Sequence, residues 1–344
     1  MHKKSNDGDC QKKNTAAHHW RLMRITPGRE RLLARQSDRC HILQPLLCHR
    51  STQPHPYRDP RDTTRLKVLT NKLARLLPQS LSCTHLRGNG GLKGAVRGVQ
   101  AALPDHRYVF RTDVKSFYAS IDHHRVMDQV AAHVKDPDAL NLLWQYMRRT
   151  VEYGGTFREI TRGIPAGCSL SPLIGAFHLH DLDVEMTTRH RGCFYVRYMD
   201  DILLLAPSRW RLRRAIAATK RHLAGLGLEL HPDKTSIGPI ARGFDFLGYR
   251  HDRTGLRLSD VTLQRHQEKL TRLYERYQRR LRAHRRQLVG QSTIPRPDRD
   301  PARAYLNPQP HITSHKEISD RLEAYKKRFA AWASGGLAIC VIGY

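Results

Sequence analysis

The stretch FYVRYMDDILLL, residues 194–205, holds two β-rich apolar runs, Phe194 to Tyr198 and Ile202 to Leu205, separated by Met199, Asp200 and Asp201. Aromatic and aliphatic residues on both sides of a short polar break predict a hairpin whose turn carries the two carboxylates. Upstream, YVFRTDV (Tyr108 to Val114) predicts a short buried strand ending in a third acid, Asp113. An Asp pair in a turn is by itself an ordinary turn former. Three acids brought together from strands far apart in the chain would instead make a set of hard oxygen ligands, provided the strands are neighbours in one sheet.

Working outward, Leu66, Leu69, Leu73, Leu76 and Leu77 recur at helical spacing and Pro78 ends the run. A Gly-rich basic loop follows (Arg87 to Gly94), where backbone amides with Lys93 or Arg97 would be able to approach phosphate. Helices are expected from His123 and over 139–150, and a hairpin over Val151 to Ile160 around Gly154-Gly155. The segment Ser171 to Arg189 reads as one helix with Pro172 near its start and Leu173, Ala176, Phe177 and His180 on one face. After a helix from Arg209 to about Leu226 come a strand at Leu228 to Leu230, a turn at His231 to Lys234, and a strand or hairpin from Phe244 to Arg250.

Beyond Asp252 the composition becomes basic. Leu263 to Leu288 is helical in pattern, with Leu270, Leu273, Tyr277 and Leu281 as its stripe and Arg272, Arg276, Arg279 and Arg280 among the cations around it. Residues 290–311 are Pro-rich and read as a linker, and a last helix is expected over Lys316 to Trp332. Residues 1–62 mix basic residues, Gln and Pro with one short apolar segment, Ile42 to Leu47, and read as a loosely ordered extension.

Lys and Arg total 60 against 31 Asp and Glu in 344 residues, a formal charge of +29 that points to a polyanionic partner, nucleic acid before a membrane surface. No run of about 18 apolar residues is present, so a soluble, cytoplasmic protein is expected. The seven Cys include no Cys-x-x-Cys pair, which argues against a disulfide framework and a zinc cage. The adjacent pairs His18/His19 and His123/His124 lack metal-site spacing and read as solvated.

Five segments together resemble the reverse transcriptase family: FRTDVKSFYASID (110–122), RGIPAGCSLSPLIGAFHLHDLD (162–183), YMDD (198–201), LGLELHPDK (226–234) and FLGY (246–249). Their order and spacing also match, and the likeness fades in the first 60 residues and after 260. The resemblance implies an α/β (α+β) right-hand polymerase fold with helical fingers, a palm of antiparallel sheet backed by helices, and a basic helical thumb. Its division would run as an N-terminal extension (1–62), fingers leading into the palm (63–112), the first catalytic motif (113–122), a fingers/palm insertion (123–160), palm (161–250), and thumb with C-terminal helix (251–344).

The implied activity is RNA-templated DNA synthesis from deoxynucleoside triphosphates (dNTPs) by two-metal-ion phosphoryl transfer, with two Mg²⁺ and Mn²⁺ as a possible substitute. Asp113 and Asp200 would bind both ions, Asp201 would assist, and the Val114 carbonyl would be a further ligand. Lys234 matches the lysine that protonates the leaving pyrophosphate. Tyr118 matches the ring that excludes a 2′-hydroxyl, Gly167 lets backbone approach the nucleotide, and Lys115 and Arg162 would hold phosphates. Phe246, Leu247, Gly248 and Tyr249 resemble the primer-grip turn, and the Arg of the 263–288 segment would contact the RNA–DNA duplex. The family commonly has Gln where this chain has Ala166, which touches on templating.

Ser-Leu-Ser-Pro at 169–172 looks like group II intron and bacterial defence enzymes, so a compact bacterial retron-like or antiphage enzyme is implied, with a structured non-coding RNA or accessory protein as possible partners. Two alternatives stand beside this: a catalytically inactive, maturase-like RNA-binding scaffold, and a template-independent terminal transferase.

Overall fold

The computed structural model describes residues 46–48, 60–153, 156–165, 167–291 and 315–335. The rest of the N-terminal extension with His18/His19, the Gly154-Gly155 tip, Ala166 and nearly all of the Pro-rich linker lie outside the described residues.

After β1 (Leu46–Cys48), α1 (Pro60–Leu76) buries Leu66, Leu69 and Leu73, with Leu77 just past its end. Leu76 was expected on that face but is 45% exposed, because it lies at the stripe's edge. Next come α2 (Gly91–Ala102), β2 (Tyr108–Asp113), the short α3 (Phe117–Ser120), α4 (His123–His133) and α5 (Pro137–Met147). Asp122 and Asp136 cap α4 and α5 by accepting from Arg125 N and Asp138 N. His123 is buried and hydrogen-bonds the Gly163 carbonyl through Nε2, which corrects the solvated reading for that ring; its neighbour His124 is exposed.

The hairpin β3 (Thr150–Tyr153) and β4 (Thr156–Glu159) forms as expected, and β1 adds to it in parallel. The expected single helix over 171–189 is two: α6 (Leu170–His178) and α7 (His180–Arg189). They break at the buried Leu179, and α7 then turns Leu182, Asp183 and Met186 inward. The carboxylate hairpin follows as β5 (Phe194–Tyr198) and β6 (Asp201–Ala206), then α8 (Arg209–Gly225), capped by Ser208.

The expected strand at Leu228–Leu230 reduces to a single bridge between Leu230 and Val114. Instead β7 (Ser236–Pro239) takes the edge of the sheet, a strand whose polar, Gly-containing sequence carries little period-2 signal. A second antiparallel sheet consists of β8 (Phe244–Phe246), β9 (Tyr249–Asp252) and β10 (Gly255–Leu258). The long α9 (Asp260–Gln291) and α10 (His315–Ser334) then pack on each other. None of the described helices is long and apolar enough to cross a membrane.

The central sheet has the order β5-β6-β2-β7, antiparallel throughout. Side chains alternate across a strand, so register decides which residues share a face. One face carries Val109, Leu203 and Leu205 against Ala95 and Val99 of α2 and Phe244 and Phe246 of the second sheet. The other carries Phe110, Ile202, Leu204 and Ala206 against α6 and α7 and against Leu212, Ala215, Ile216 and Leu223 of α8. Both faces are covered, which explains why β6 is an unbroken apolar run. An antiparallel sheet backed by helices is the architecture implied for a palm.

Candidate active site

Asp113 closes β2 and stands directly opposite Asp201, the first residue of β6. Directly opposed residues in an antiparallel pair present their side chains to the same face with Cβ atoms about 5 Å apart. Asp200 completes the cluster from the turn. Its carboxyl is pushed up to about 6, first by burial and then by the charge of Asp113, with which it shares a hydrogen bond. Burial likewise raises Asp201, while Arg111 acts against the shift and Asp113 adds to it. Arg111 Nη2 lies 3.9 Å from Asp201 Oδ1, from the same sheet face two residues before Asp113. Lys234 Nζ binds Asp113 Oδ2, and this hydrogen bond holds the lysine's pKa above its usual value.

Backbone alternation also fixes the Val114 carbonyl. Asp113 O accepts from His231 N, and Lys115 N donates to Glu229 O, both at 2.8 Å. The flanking residues thus bond toward the 229–231 segment, and the Val114 peptide groups turn the other way, toward the carboxylate hairpin. Among the described residues no three His, Cys, Asp or Glu side chains stand in a ready-made metal cage. The donors that do converge are all hard oxygens, and burial together with the charge of Asp113 raises Asp200. That set fits Mg²⁺ or Mn²⁺ rather than a soft metal.

The turn itself is held from behind. Met199 has φ 58°, a left-handed conformation that a residue with a Cβ rarely adopts. Both of its peptide groups are engaged: Met199 N donates to His85 Nδ1 at 3.0 Å, and Met199 O accepts from Arg197 Nη1 at 2.9 Å. Arg197 is wholly buried, bonded through Nε and Nη2 to Asp183 and through Nη2 to Ala176 O, while Tyr195 Oη donates to Asp183. His85, Asp183, Tyr195 and Arg197 are therefore positioning residues that the motif reading did not single out. The available signal was an Arg in an otherwise apolar strand, an expensive residue to bury unless paired.

Tyr118 lies on α3, with Gly175 of α6 so close that an added Cβ there would stand 3.1 Å from the Tyr118 ring and 3.0 Å from that of Phe117. Burial, followed by the charge of Asp200, pushes the Tyr118 hydroxyl up to about 12. Gly163 (φ +83°) packs its backbone on α3, where a Cβ would meet Ala119 Cα at 2.8 Å. Gly167 also needs a positive φ (+79°), yet nothing lies within 4 Å of its virtual Cβ. Arg162 donates to Ser120 O and Gly227 O, tying α3 to the segment after α8. Lys115 is exposed, with its Nζ 3.8 Å from Glu229.

The Phe246–Tyr249 turn has left-handed Leu247 (φ 50°) and Gly248 (φ 86°) at its tip, and Phe246 and Tyr249 are wholly buried. Tyr249 stacks on Trp332 at 5.5 Å, and its Oη hydrogen-bonds Trp332 O and Ala333 O of α10. Of the two cations read as able to approach phosphate, Lys93 binds Tyr249 Oη and Trp332 O, and Arg97 is exposed. Arg272, Arg276, Arg279 and Arg280 are exposed on α9, whereas Tyr277 is buried. A cavity of about 200 Å³ lies elsewhere, lined by Gln129, His178, Asp181 and Arg221, behind the sheet rather than at the carboxylates.

A family model described as reverse transcriptase (RNA-dependent DNA polymerase) matches residues 12–251. Among curated proteins, Protein YkfC of Escherichia coli strain K12 is 26% identical over 205 residues, covering 48% of this chain and 54% of that protein. Protein P of woolly monkey hepatitis B virus is 30% identical over 112 residues, covering 32% of this chain and 13% of that protein. The chain thus spans about half the length of the first relative and a smaller part of the second. Among solved structures, telomerase from Candida albicans with a fragment of telomeric RNA aligns over 58% of this chain and 38% of that one, with 13% identity and a TM-score of 0.46. Apo telomerase from Candida tropicalis aligns over 58% and 45%, with 13% identity and a TM-score of 0.43.

Proposed function

The chain belongs to the reverse transcriptase family, and from that premise we propose that it extends a primer 3′ end with dNTPs on an RNA template. The observation that carries this reading is the register that sets Asp113 opposite Asp201, with Asp200 beside them. Asp113, Asp200, Asp201 and the Val114 carbonyl would hold two Mg²⁺, or Mn²⁺ in their place, which supply Lewis-acid polarisation of the primer hydroxyl and the α-phosphate.

The remaining work falls to the chain's own groups. Lys234 reaches the cluster from the opposite side to the hairpin and, as an ammonium, would donate its proton to the departing pyrophosphate oxygen. Tyr118, packed on Gly175, presents a rigid ring where a ribose 2′-hydroxyl would collide. The open space at Gly167, which follows Ala166 in the sequence, admits the nucleotide close to the backbone, and Lys115 and Arg162 are the cations assigned to phosphate. The buried Phe246 and Tyr249 would shape the Leu247-Gly248 turn against which the primer end rests. The exposed Arg272, Arg276, Arg279 and Arg280 would follow the RNA–DNA duplex as phosphate contacts. The setting we favour is a bacterial retroelement or antiphage system, on the strength of Ser-Leu-Ser-Pro at 169–172.

Purified protein given a primed RNA template, dNTPs and Mg²⁺ is expected to extend the primer, and the Asp200→Ala/Asp201→Ala double variant is not. Equal extension by both would overturn the site. RNA binding with no incorporation by either would favour the scaffold reading, and product made equally without template would favour a terminal transferase.

A further inference from the structure

Helix α8 has no place in the reaction, yet its outer face is unusual. Its seventeen residues, RWRLRRAIAATKRHLAG, contain six Lys and Arg and no acid. The buried side is Leu212, Ala215, Ile216, Ala218, Thr219 and Leu223. At 100° per residue, Trp210, Arg213, Arg214, Lys220 and Arg221 fall together on the opposite side, a strip about 17 Å long. All five are exposed, Trp210 by 64%, and Arg214 lies over the Trp210 ring at 4.6 Å. Arg221, at one end of the strip, is paired with Glu185 of α7, which also binds His222, and Asp181 of α7 lines the same cavity as Arg221.

A merely solvated helix face mixes both signs of charge. An all-cation strip repels itself and gains nothing from an exposed indole, unless a polyanion with flat apolar groups lies on it. Phosphates spaced along a strand, with unpaired bases to stack, have that chemistry, and paired bases do not offer their faces. The register of the central sheet also fixes where this strip points. Asp113 and Asp201 sit on the face shared with Val109 and Leu203, whereas α8 covers the face of Phe110 and Ile202.

We propose that the outer face of α8 is a second nucleic-acid site that holds single-stranded RNA, on the side of the sheet opposite the carboxylates. Trp210 stacks a base, while Arg213, Arg214 and Lys220 take phosphates. The choice of RNA over DNA rests on the polymerase reading, in which the template is the strand with an unpaired arm; the surface itself does not depend on it.

The test measures binding of a single-stranded oligo(U) by fluorescence anisotropy across a salt series, using the full chain and two variants. Trp210→Ala is expected to weaken binding about tenfold, the loss of one stacked base. Arg213→Gln/Arg214→Gln/Lys220→Gln is expected to lower the slope of log affinity against log salt by about 2. Both variants should extend a short primer–template with a minimal overhang like the parent chain, which separates failure of this site from failure of the polymerase reading. Unchanged affinity and slope in both variants would overturn the proposal. So would loss of binding to anionic phospholipid vesicles in the variants with RNA binding intact, and so would a loss confined to oligo(dT), which would reassign the site to single-stranded DNA.

Discussion

Arg197 and Asp183 are joined by two hydrogen bonds behind the carboxylate hairpin, and neither is more than 1% exposed. The pair links α7 to β5, and the same guanidinium reaches on to the carbonyl of Met199. Breaking a buried ion pair from one side leaves an uncompensated charge, whereas removing both partners is far milder. Asp183→Asn is therefore expected to cost about 3 to 5 kcal/mol in urea unfolding. The double variant Arg197→Met/Asp183→Leu should recover much of that stability but not primer extension, since nothing then holds Met199 O. Recovery of both would show the pair to be packing alone.

Gly163 and Gly167 share a positive φ but not their surroundings. Gly163→Ala adds strain and a clash with the α3 backbone and is expected to destabilise by about 2 to 4 kcal/mol. Gly167→Ala meets no protein atom, so about 1 kcal/mol of strain is expected, with the larger effect on the KM for dNTP. Thermal melting and steady-state extension measured side by side would distinguish the two, and a Gly167→Ala enzyme with unaltered KM would remove the nucleotide from that loop.

Tyr118→Ala takes away the ring packed on Gly175 and is expected to raise incorporation of ribonucleotides relative to dNTPs by at least tenfold, a difference of about 1.4 kcal/mol in discrimination. Competition between labelled UTP and dTTP on one template reads this directly. Unchanged sugar selectivity would leave Tyr118 as core packing.

Burial pushes His178 and His251 down to about 4, so both rings are neutral in the folded chain at pH 7. In the unfolded chain they titrate near the ordinary value of about 6.5. Their contribution is therefore fully present above that value and is lost as pH falls from about 6.5 toward 4, at roughly 1.4 kcal/mol per pH unit for each ring at the steepest. Urea midpoints measured from pH 7.5 to pH 4.5 should fall accordingly, and a His178→Phe/His251→Phe variant should show a shallower decline. Parallel declines would place the acid sensitivity elsewhere.

Much of the fold was legible because it is local. The two apolar, β-rich runs flanking Asp200-Asp201, the helical stripe of Leu66 to Leu77 and the basic α9 each carry their pattern in local sequence. The failures share a cause. Residues 171–189 keep helical periodicity straight through Leu179, and only the need to bury both α6 and α7 bends the axis there. β7 has almost no pattern and becomes a strand because Tyr108 to Arg111 offer it an open edge. His123 resembled a surface residue until Gly163 O supplied its partner.

For the site, the sequence alone settled that Asp113 ends a strand and Asp200 sits in a turn, since strand and turn preferences act between near neighbours, whereas Asp201, expected in the same turn, opens β6. It left open whether Asp113 would meet Asp201, because pairing of β2 with β6 is a contact between distant segments, won by burying both faces of the sheet at once. The tertiary structure decided that register, and with it the burial that lifts Asp200, the Arg197–Asp183 pair behind the turn, and the side of the sheet to which α8 turns its cations.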